Sequence, residues 1–487
     1  MQSQTNTKPF IGRPKELTDL NELIFEPDAQ FLILYGRRRV GKTRLLVHWA
    51  QQSGHPYIYW VANRMSPAMQ LRSFSQTVYQ SLHPNTSIDT HFTYPTWEMA
   101  IQQATLLAQQ QRLILIIDEF PYLSEAEPGI ASLVQNLWDH MLNMTQIVFV
   151  LAGSHIGMMS TLMEYNAPLY GRFTAHLHLK ALPFQTTSQF LPAYTTAERV
   201  AVYAILGGIP AYLERFRDDQ NLKQNVYRTI FKSTGVFRVD PLFLLQDQVR
   251  EPRNYLSVLN AIGAGNHTLT EIAKVAGLPK QNVSSYLDRL GTLYLVERRV
   301  PVTTPQDKRD GSRRGRWHLR DAYLRFYFRF IAPNQRALEL ELYDAVWEAI
   351  HEQLRAFIGM TTFEELCREW MAAQAKQNKL PFIPEDIGSH WSAKVQIDAM
   401  AISWRHHKIL VGECKWGVKR VGADVIRDLV MNKGVQVLVD LGDTKQNPWQ
   451  VYLICFARAG FTEVAHKLAE EHDVQLVNLL GIEAGLR

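Results

Sequence analysis

The chain has little of what marks secreted or membrane-spanning proteins. Only three of its 487 residues are cysteine (Cys367, Cys414 and Cys455); they are widely spaced and none belongs to a CxxC pair. That pattern offers no disulfide framework and fits a reducing compartment. Long apolar runs are missing too. Leu113–Ile117 and Ile147–Ala152 are among the longest, far short of the roughly 20 residues a bilayer span needs. The opening, MQSQTNTKPF, is polar and shows no signal segment. Together these absences predict a cytoplasmic protein with no membrane partner. Neither sign of charge dominates, since 52 Lys and Arg stand against 47 Asp and Glu, a formal net charge of +5. Bulk charge therefore does not argue for nucleic acid, and its local distribution has to decide. Apolar residues make up 46% of the chain, enough for real cores and far from a disordered composition.

What is there begins with alternation. Short apolar runs at Phe31–Tyr35, Tyr57–Ala62, Leu113–Ile117 and Ile147–Ala152 are separated by helical stretches. Such a pattern predicts a parallel sheet covered by helices on both faces. Directly after the first run, Gly36-Arg37-Arg38-Arg39-Val40-Gly41-Lys42-Thr43 fits GxxxxGK[ST], with Arg44 opening the helix that follows. Glycines let the backbone wrap so that successive N–H groups point at phosphates, and the next helix adds its positive end. Lys42 is expected to reach the β- and γ-phosphates of ATP and the Thr43 hydroxyl to ligate Mg²⁺. The run Leu113–Ile117 ends in Asp118 and Glu119, which a parallel strand delivers to the phosphate edge of the sheet. There Asp118 would hold Mg²⁺ and Glu119 would polarise the attacking water. Phe10-Ile11-Gly12-Arg13 precedes the first strand and is placed against the adenine. Arg172 is read either as an arginine finger for γ-phosphate charge or as a surface salt bridge. Ser154 and His155 stand where a γ-phosphate sensor would.

Four segments in combination resemble the archaeal-type ATPase family, a branch of the STAND class of AAA+-related NTPases. They are Phe10-x-Gly12-Arg13, Asp118 to Leu123, Tyr170-Gly171-Arg172 and Gly207-Gly208-Ile209-Pro210-Ala211-Tyr212-Leu213. The resemblance implies a nucleotide-controlled switch with a helical lid, in which Pro210 contacts the adenine. It further implies a nuclease-like C-terminal domain. One departure is the lack of the Asn that AAA+ relatives carry after the strand at 147–152.

Residues 270–278 read as a short helix and turn with Thr270 as N-cap, Ala273 small for close packing and Gly277 at the turn. Val283, Tyr286, Leu287 and Leu290 then recur at helical spacing. A hairpin follows with Arg298, Arg299, Lys308, Arg309, Arg313, Arg314 and Arg316 against Asp307 and Asp310. This predicts a winged helix whose basic wing meets DNA phosphates; the alternatives are docking on the ATPase or a solvated loop. Further on, Gln396–Ile402 and Ile409–Trp416 read as strands joined by a turn. Alternation puts Glu413 and Lys415 on one face, and a hairpin would bring Asp398 beside them. That is the D-(x)n-ExK layout of PD-(D/E)xK nucleases, with Asp398 and Glu413 as Mg²⁺ ligands and Lys415 positioning water. Glu364 is the further carboxylate that the resemblance favours.

The expected architecture is an α/β chain in five parts. These are a P-loop NTPase core (1–182), a helical lid (183–237), a winged helix (238–332), a helical connector (333–358) and a restriction-endonuclease-like domain (359–487). The expected function is an ATP-hydrolysing switch that controls DNA binding and Mg²⁺-dependent cleavage. The alternative is a nucleotide-gated DNA-binding or signalling protein whose C-terminal domain does not cut. Assembly as a homo-oligomer is left open.

Overall fold

The computed structural model describes residues 9–246, 248–249, 251–444 and 448–486. The polar opening at 1–8 lies outside them. The chain divides into two compact units.

The first unit holds residues up to Leu182 together with Ile209–Ala211 and Gln246–Val249. Its sheet has five strands: β1 (Gln30–Tyr35), β2 (Tyr57–Val61), β3 (Leu113–Asp118), β4 (Ile147–Gly153) and β5 (Ala175–His178). They lie in the order β2-β3-β4-β1-β5, and every pairing is parallel. In the three central strands β1, β3 and β4 every residue is buried. Covering both faces is what such continuous apolar runs require. Because β1 and β3 are parallel, their C-terminal ends open on the same edge. The loop after β1 and the acids after β3 therefore meet there.

The second unit gathers Pro183–Gly208, Tyr212–Leu245 and the chain from Arg250 onward. Residues 184–246 are mainly helical, with Thr195 and Glu198 closing a capping box on the helix Thr196–Leu206. In the winged-helix segment the N-cap is Thr268, not Thr270. Its hydroxyl accepts from Glu271 N while Glu271 reaches back, a T-x-x-E box one turn-start earlier than expected. The helix Lys280–Thr292 buries Val283, Leu287 and Leu290. Strands β6 (Val296–Arg299) and β7 (Arg316–Leu319) pair antiparallel as the wing. The expected connector is two helices, broken near Leu340 and Glu341. The second runs unbroken from Tyr343 to Lys376 through a π-turn at Gly359–Phe363, so no break in the fold falls at residue 358. A second five-stranded sheet, β12-β11-β10-β9-β8, completes this unit. It is mixed: β8 (Asp386–Trp391), β9 (Gln396–Ser403) and β10 (Lys408–Lys415) are antiparallel, while β11 (Gln450–Ala457) and β12 (Val474–Asn478) continue it in parallel.

Candidate functional site

The loop 36–43 is built for close approach. A Cβ on Gly36 would sit 2.5 Å from the carbonyl oxygen of Leu179, so no larger residue fits without moving backbone. Gly41 has φ +99°, a conformation that costs glycine nothing. It is the N-cap of the helix Lys42–Gln52 and has no side chain to cap the first N–H groups. Those donors, with the helix dipole behind them, suit an anion. Lys42 is buried, and its ammonium donates to the carbonyl oxygens of Gly36 (3.0 Å) and Arg37 (3.4 Å). Burial lowers its pKa against the opposing pull of Glu119 and Asp118. The Thr43 hydroxyl donates to Asp118 Oδ2 at 2.7 Å. A cradle that a Cβ would fill, a buried ammonium and a hydroxyl–carboxylate pair together fit a triphosphate with Mg²⁺.

Glu119 follows directly and caps the next helix with φ +52°, a left-handed backbone uncommon for a side chain of this kind. Its Oε2 accepts from the Ser154 N–H (3.2 Å) and hydroxyl (2.8 Å). Around the loop, Arg13 is buried and donates to the Val40 carbonyl at 3.0 Å and to Glu16 at 2.7 Å. Arg44 donates to the Pro9 carbonyl. Phe10 stacks on His48 of the helix after the loop, with ring centroids 4.1 Å apart. Pro210 Cγ lies 3.8 Å from where a Gly41 Cβ would be. Arg172 forks onto Asp139, with bonds of 3.0 to 3.1 Å, so its guanidinium is engaged in the salt bridge that was one of its two readings.

The wing's cations mostly have partners within the chain. Of its seven cations, five are engaged within the chain. Arg298 donates to the carbonyls of Arg309 (3.0 Å) and Ser312, and Arg299 pairs with Glu297 and Glu365. Arg309 meets Asp386 at 2.5 Å, Arg314 donates to the Trp391 carbonyl, and Arg316 lies over the Trp391 ring. Arg309, Arg314 and Arg316 thus fasten the wing to β8. Lys308, Arg313 and Arg314 are exposed. The opposite face of the helix Lys280–Thr292 presents Lys280, Gln281, Asn282, Ser284 and Ser285 to solvent.

In the second sheet, β9 and β10 pair as far as Ala399 with Gly412. One step beyond come Asp398 and Glu413. Asp398 Oδ2 accepts the Cys414 N–H at 3.0 Å. Glu413, 4% exposed, has one oxygen on Lys415 and the other on Lys433, both at 2.6 Å. Burial and the neighbouring Asp398 push the Glu364 carboxyl up to about 8, while burial and Glu413 push Asp398 up to about 6. Glu364, Asp398, Glu413 and Lys415 thus share one electrostatic neighbourhood. Glu413 is ion-paired with Lys415 and Lys433 and Glu364 with Arg368, and among the described residues no three ligand-type side chains are grouped so as to hold a metal ion.

Comparison with known proteins follows the same division of the chain. The profile of an ATPase domain found predominantly in Archaea matches residues 10–216. The uncharacterized protein MJECL04 of Methanocaldococcus jannaschii is 31% identical over 425 residues, covering 86% of this chain and 91% of that one. The chain belongs to the archaeal-type ATPases. Beyond its ATPase domain, residues 252–310 match the MarR family, and residues 327–426 match archaeal and bacterial proteins of unknown function. The Walker-type ATPase PABY2304 of Pyrococcus abyssi superimposes with a TM-score of 0.50 at 18% identity, over 66% of this chain and 96% of that one. That likeness concerns the fold alone. The ORC2 protein of Aeropyrum pernix has a TM-score of 0.42 at 12% identity, over 69% and 97%, too loose for argument.

Sequence reasoning missed three residues of this ATPase. Tyr59, on β2, donates to Asp118 Oδ2 at 2.8 Å, and burial with the Asp118 charge raises its pKa. An interior tyrosine in an apolar strand was the only signal. Lys433 joins Glu413 from a π-turn of a distant helix, which spacing cannot reveal. Gln248 donates to the Ser154 carbonyl at 3.1 Å from a segment with no motif.

Proposed function

We propose that this archaeal-type ATPase is an ATP-hydrolysing switch that governs DNA binding by its winged helix. The single observation that carries the reading is the buried Lys42 folded onto its own loop while Thr43 meets Asp118. On this reading Lys42 turns from the carbonyls of Gly36 and Arg37 to the β- and γ-phosphates, and the N–H groups of 37–43 line the rest of the triphosphate. Thr43 and Asp118 would hold Mg²⁺, which neutralises charge on the phosphates. Glu119 leaves Ser154 to accept the proton of the attacking water. Gly12, Arg13 and Pro210 support the nucleotide from the side of the loop, and Arg38, Arg39 and Arg44 add positive charge beside it. Lys42→Ala should abolish ATP binding, whereas Glu119→Gln should keep binding and slow turnover. Unchanged hydrolysis by Glu119→Gln would place the base elsewhere.

For DNA, the exposed polar face of the helix Lys280–Thr292 supports base-edge contact, since Asn and Gln can pair with adenine in the major groove. Affinity should fall with added salt, as counterion release requires. Binding that ignores salt would contradict this.

A second reading concerns the C-terminal sheet. The neighbourhood of Glu364, Asp398, Glu413 and Lys415 favours a PD-(D/E)xK-type site for Mg²⁺-assisted phosphodiester hydrolysis. It requires Glu413 to release a lysine to take a cation. Plasmid cleavage with Mg²⁺, compared between the native chain and Lys415→Ala, tests it; equal cleavage by both removes the nuclease reading.

A further inference from the structure

Gln248 belongs to the ATPase unit and lies between the helix Asp240–Gln246 and the helix Pro252–Gly263. It is 7% exposed. Its Nε2 donates to the Ser154 carbonyl at 3.1 Å, and Ser154 in turn donates both its N–H and its hydroxyl to Glu119. The amide orientation is fixed by chemistry, because turning it over would set two acceptor oxygens face to face. Its Oε1 is buried and has no hydrogen-bond partner among the described residues. Buried acceptors are almost always satisfied, so an orphan on a side chain already bonded to Ser154, the partner of Glu119, calls for a donor that arrives in another state.

Ser154 carries that donor. While its hydroxyl serves Glu119, the glutamate is held away from water. Once Glu119 turns toward the water, the Ser154 hydroxyl needs a new acceptor, and Gln248 is already bonded to the same residue. We infer that Gln248 is a positioning residue that takes over the Ser154 hydroxyl and so releases Glu119 for hydrolysis. The exchange moves one hydrogen bond, with no covalent change. It rests on the ATPase reading and specifies how that site is regulated.

The test pairs ATP–Mg²⁺ calorimetry with steady-state hydrolysis for the native chain, Gln248→Met, Ser154→Ala and the double variant. Gln248→Met keeps the length of the side chain while removing both polar atoms, and Gln248→Leu replaces it if it fails to fold. Gln248→Met should bind ATP within about twofold of the native chain and turn over about tenfold more slowly. On the Ser154→Ala background, where no hydroxyl holds Glu119, it should cost less than about twofold. Native turnover by Gln248→Met, a parallel loss of binding, or the same loss on both backgrounds would overturn the inference while leaving the ATPase reading intact. A native chain that binds no ATP overturns both.

Discussion

Replacing Tyr59 with Phe removes one hydrogen bond and nothing else of substance. The ring keeps its volume on β2, so packing in the sheet is unchanged. What is lost is the 2.8 Å bond from the phenol to Asp118 Oδ2, on a carboxylate that is only 1% exposed. Asp118 keeps Thr43 at 2.7 Å and the Glu119 N–H at 2.9 Å. Hydrogen bonds to charged groups contribute about 1.5–3 kcal/mol, and a buried acceptor stripped of a donor loses that order of stability. For a unit of this size, 1 kcal/mol corresponds to roughly 2–4 °C in melting temperature. Calorimetric melting without nucleotide should therefore show Tyr59→Phe lower by roughly 3–12 °C. With ATP and Mg²⁺ the gap should narrow, since Asp118 then has a stronger partner. A nucleotide-free melting temperature equal to that of the native chain would refute the claim that Tyr59 satisfies Asp118 in the resting site.

Four other outcomes follow from the same structure. Gly36→Ala should destabilise the chain by about 1–3 kcal/mol and weaken ATP binding, because its Cβ would meet the Leu179 carbonyl; a fold and affinity unchanged by the methyl would contradict the close approach. Arg172→Ala should alter stability by less than about 1 kcal/mol, as exposed pairs do; a loss of turnover at constant stability would restore the arginine-finger role. Glu365 accepts from Arg325 and Arg299, which outweigh its burial and hold its carboxyl below the ordinary range. Glu365→Ala should cost about 3 kcal/mol in thermal unfolding by leaving Arg325 without its carboxylate and Arg299 with Glu297 alone. Glu364 titrates the other way: folded it keeps its proton to about 8, whereas unfolded it releases it near 4.5. The folded chain binds more protons across that window, so stability falls as pH rises through it. Glu364→Gln should lessen the fall of melting temperature between those limits, Asp398 and Glu369 supplying the rest, and an unaltered slope would place the titrating group elsewhere.

The central strands of the first unit were legible because they are apolar on both faces and short, and because a glycine loop and two acids punctuate them. Phosphate chemistry needs those residue types next to one another in the chain, so a single sequence suffices to find Gly36 to Thr43 and Asp118-Glu119. Tyr59 and Gln248 reach the same site from other strands and segments. Their role depends on a parallel register and a returning chain, neither of which leaves a local pattern. The wing shows the opposite failure. Arg309, Arg314 and Arg316 look like a solvent-facing basic cluster until Asp386 and Trp391 are seen beside them. Likewise Thr268 and Thr270 are equally good N-caps by residue type, and the reciprocal bond from Glu271 three places on selects the first. The Glu413–Lys415 alternation was readable as strand periodicity, while Lys433 was not.

The most direct measurement is isothermal titration of the purified chain with ATP and Mg²⁺, run beside Lys42→Ala. One saturable site in the native chain and none in the variant is the outcome that the buried lysine and its loop require. No heat from the native chain, or equal binding by both, would contradict the account.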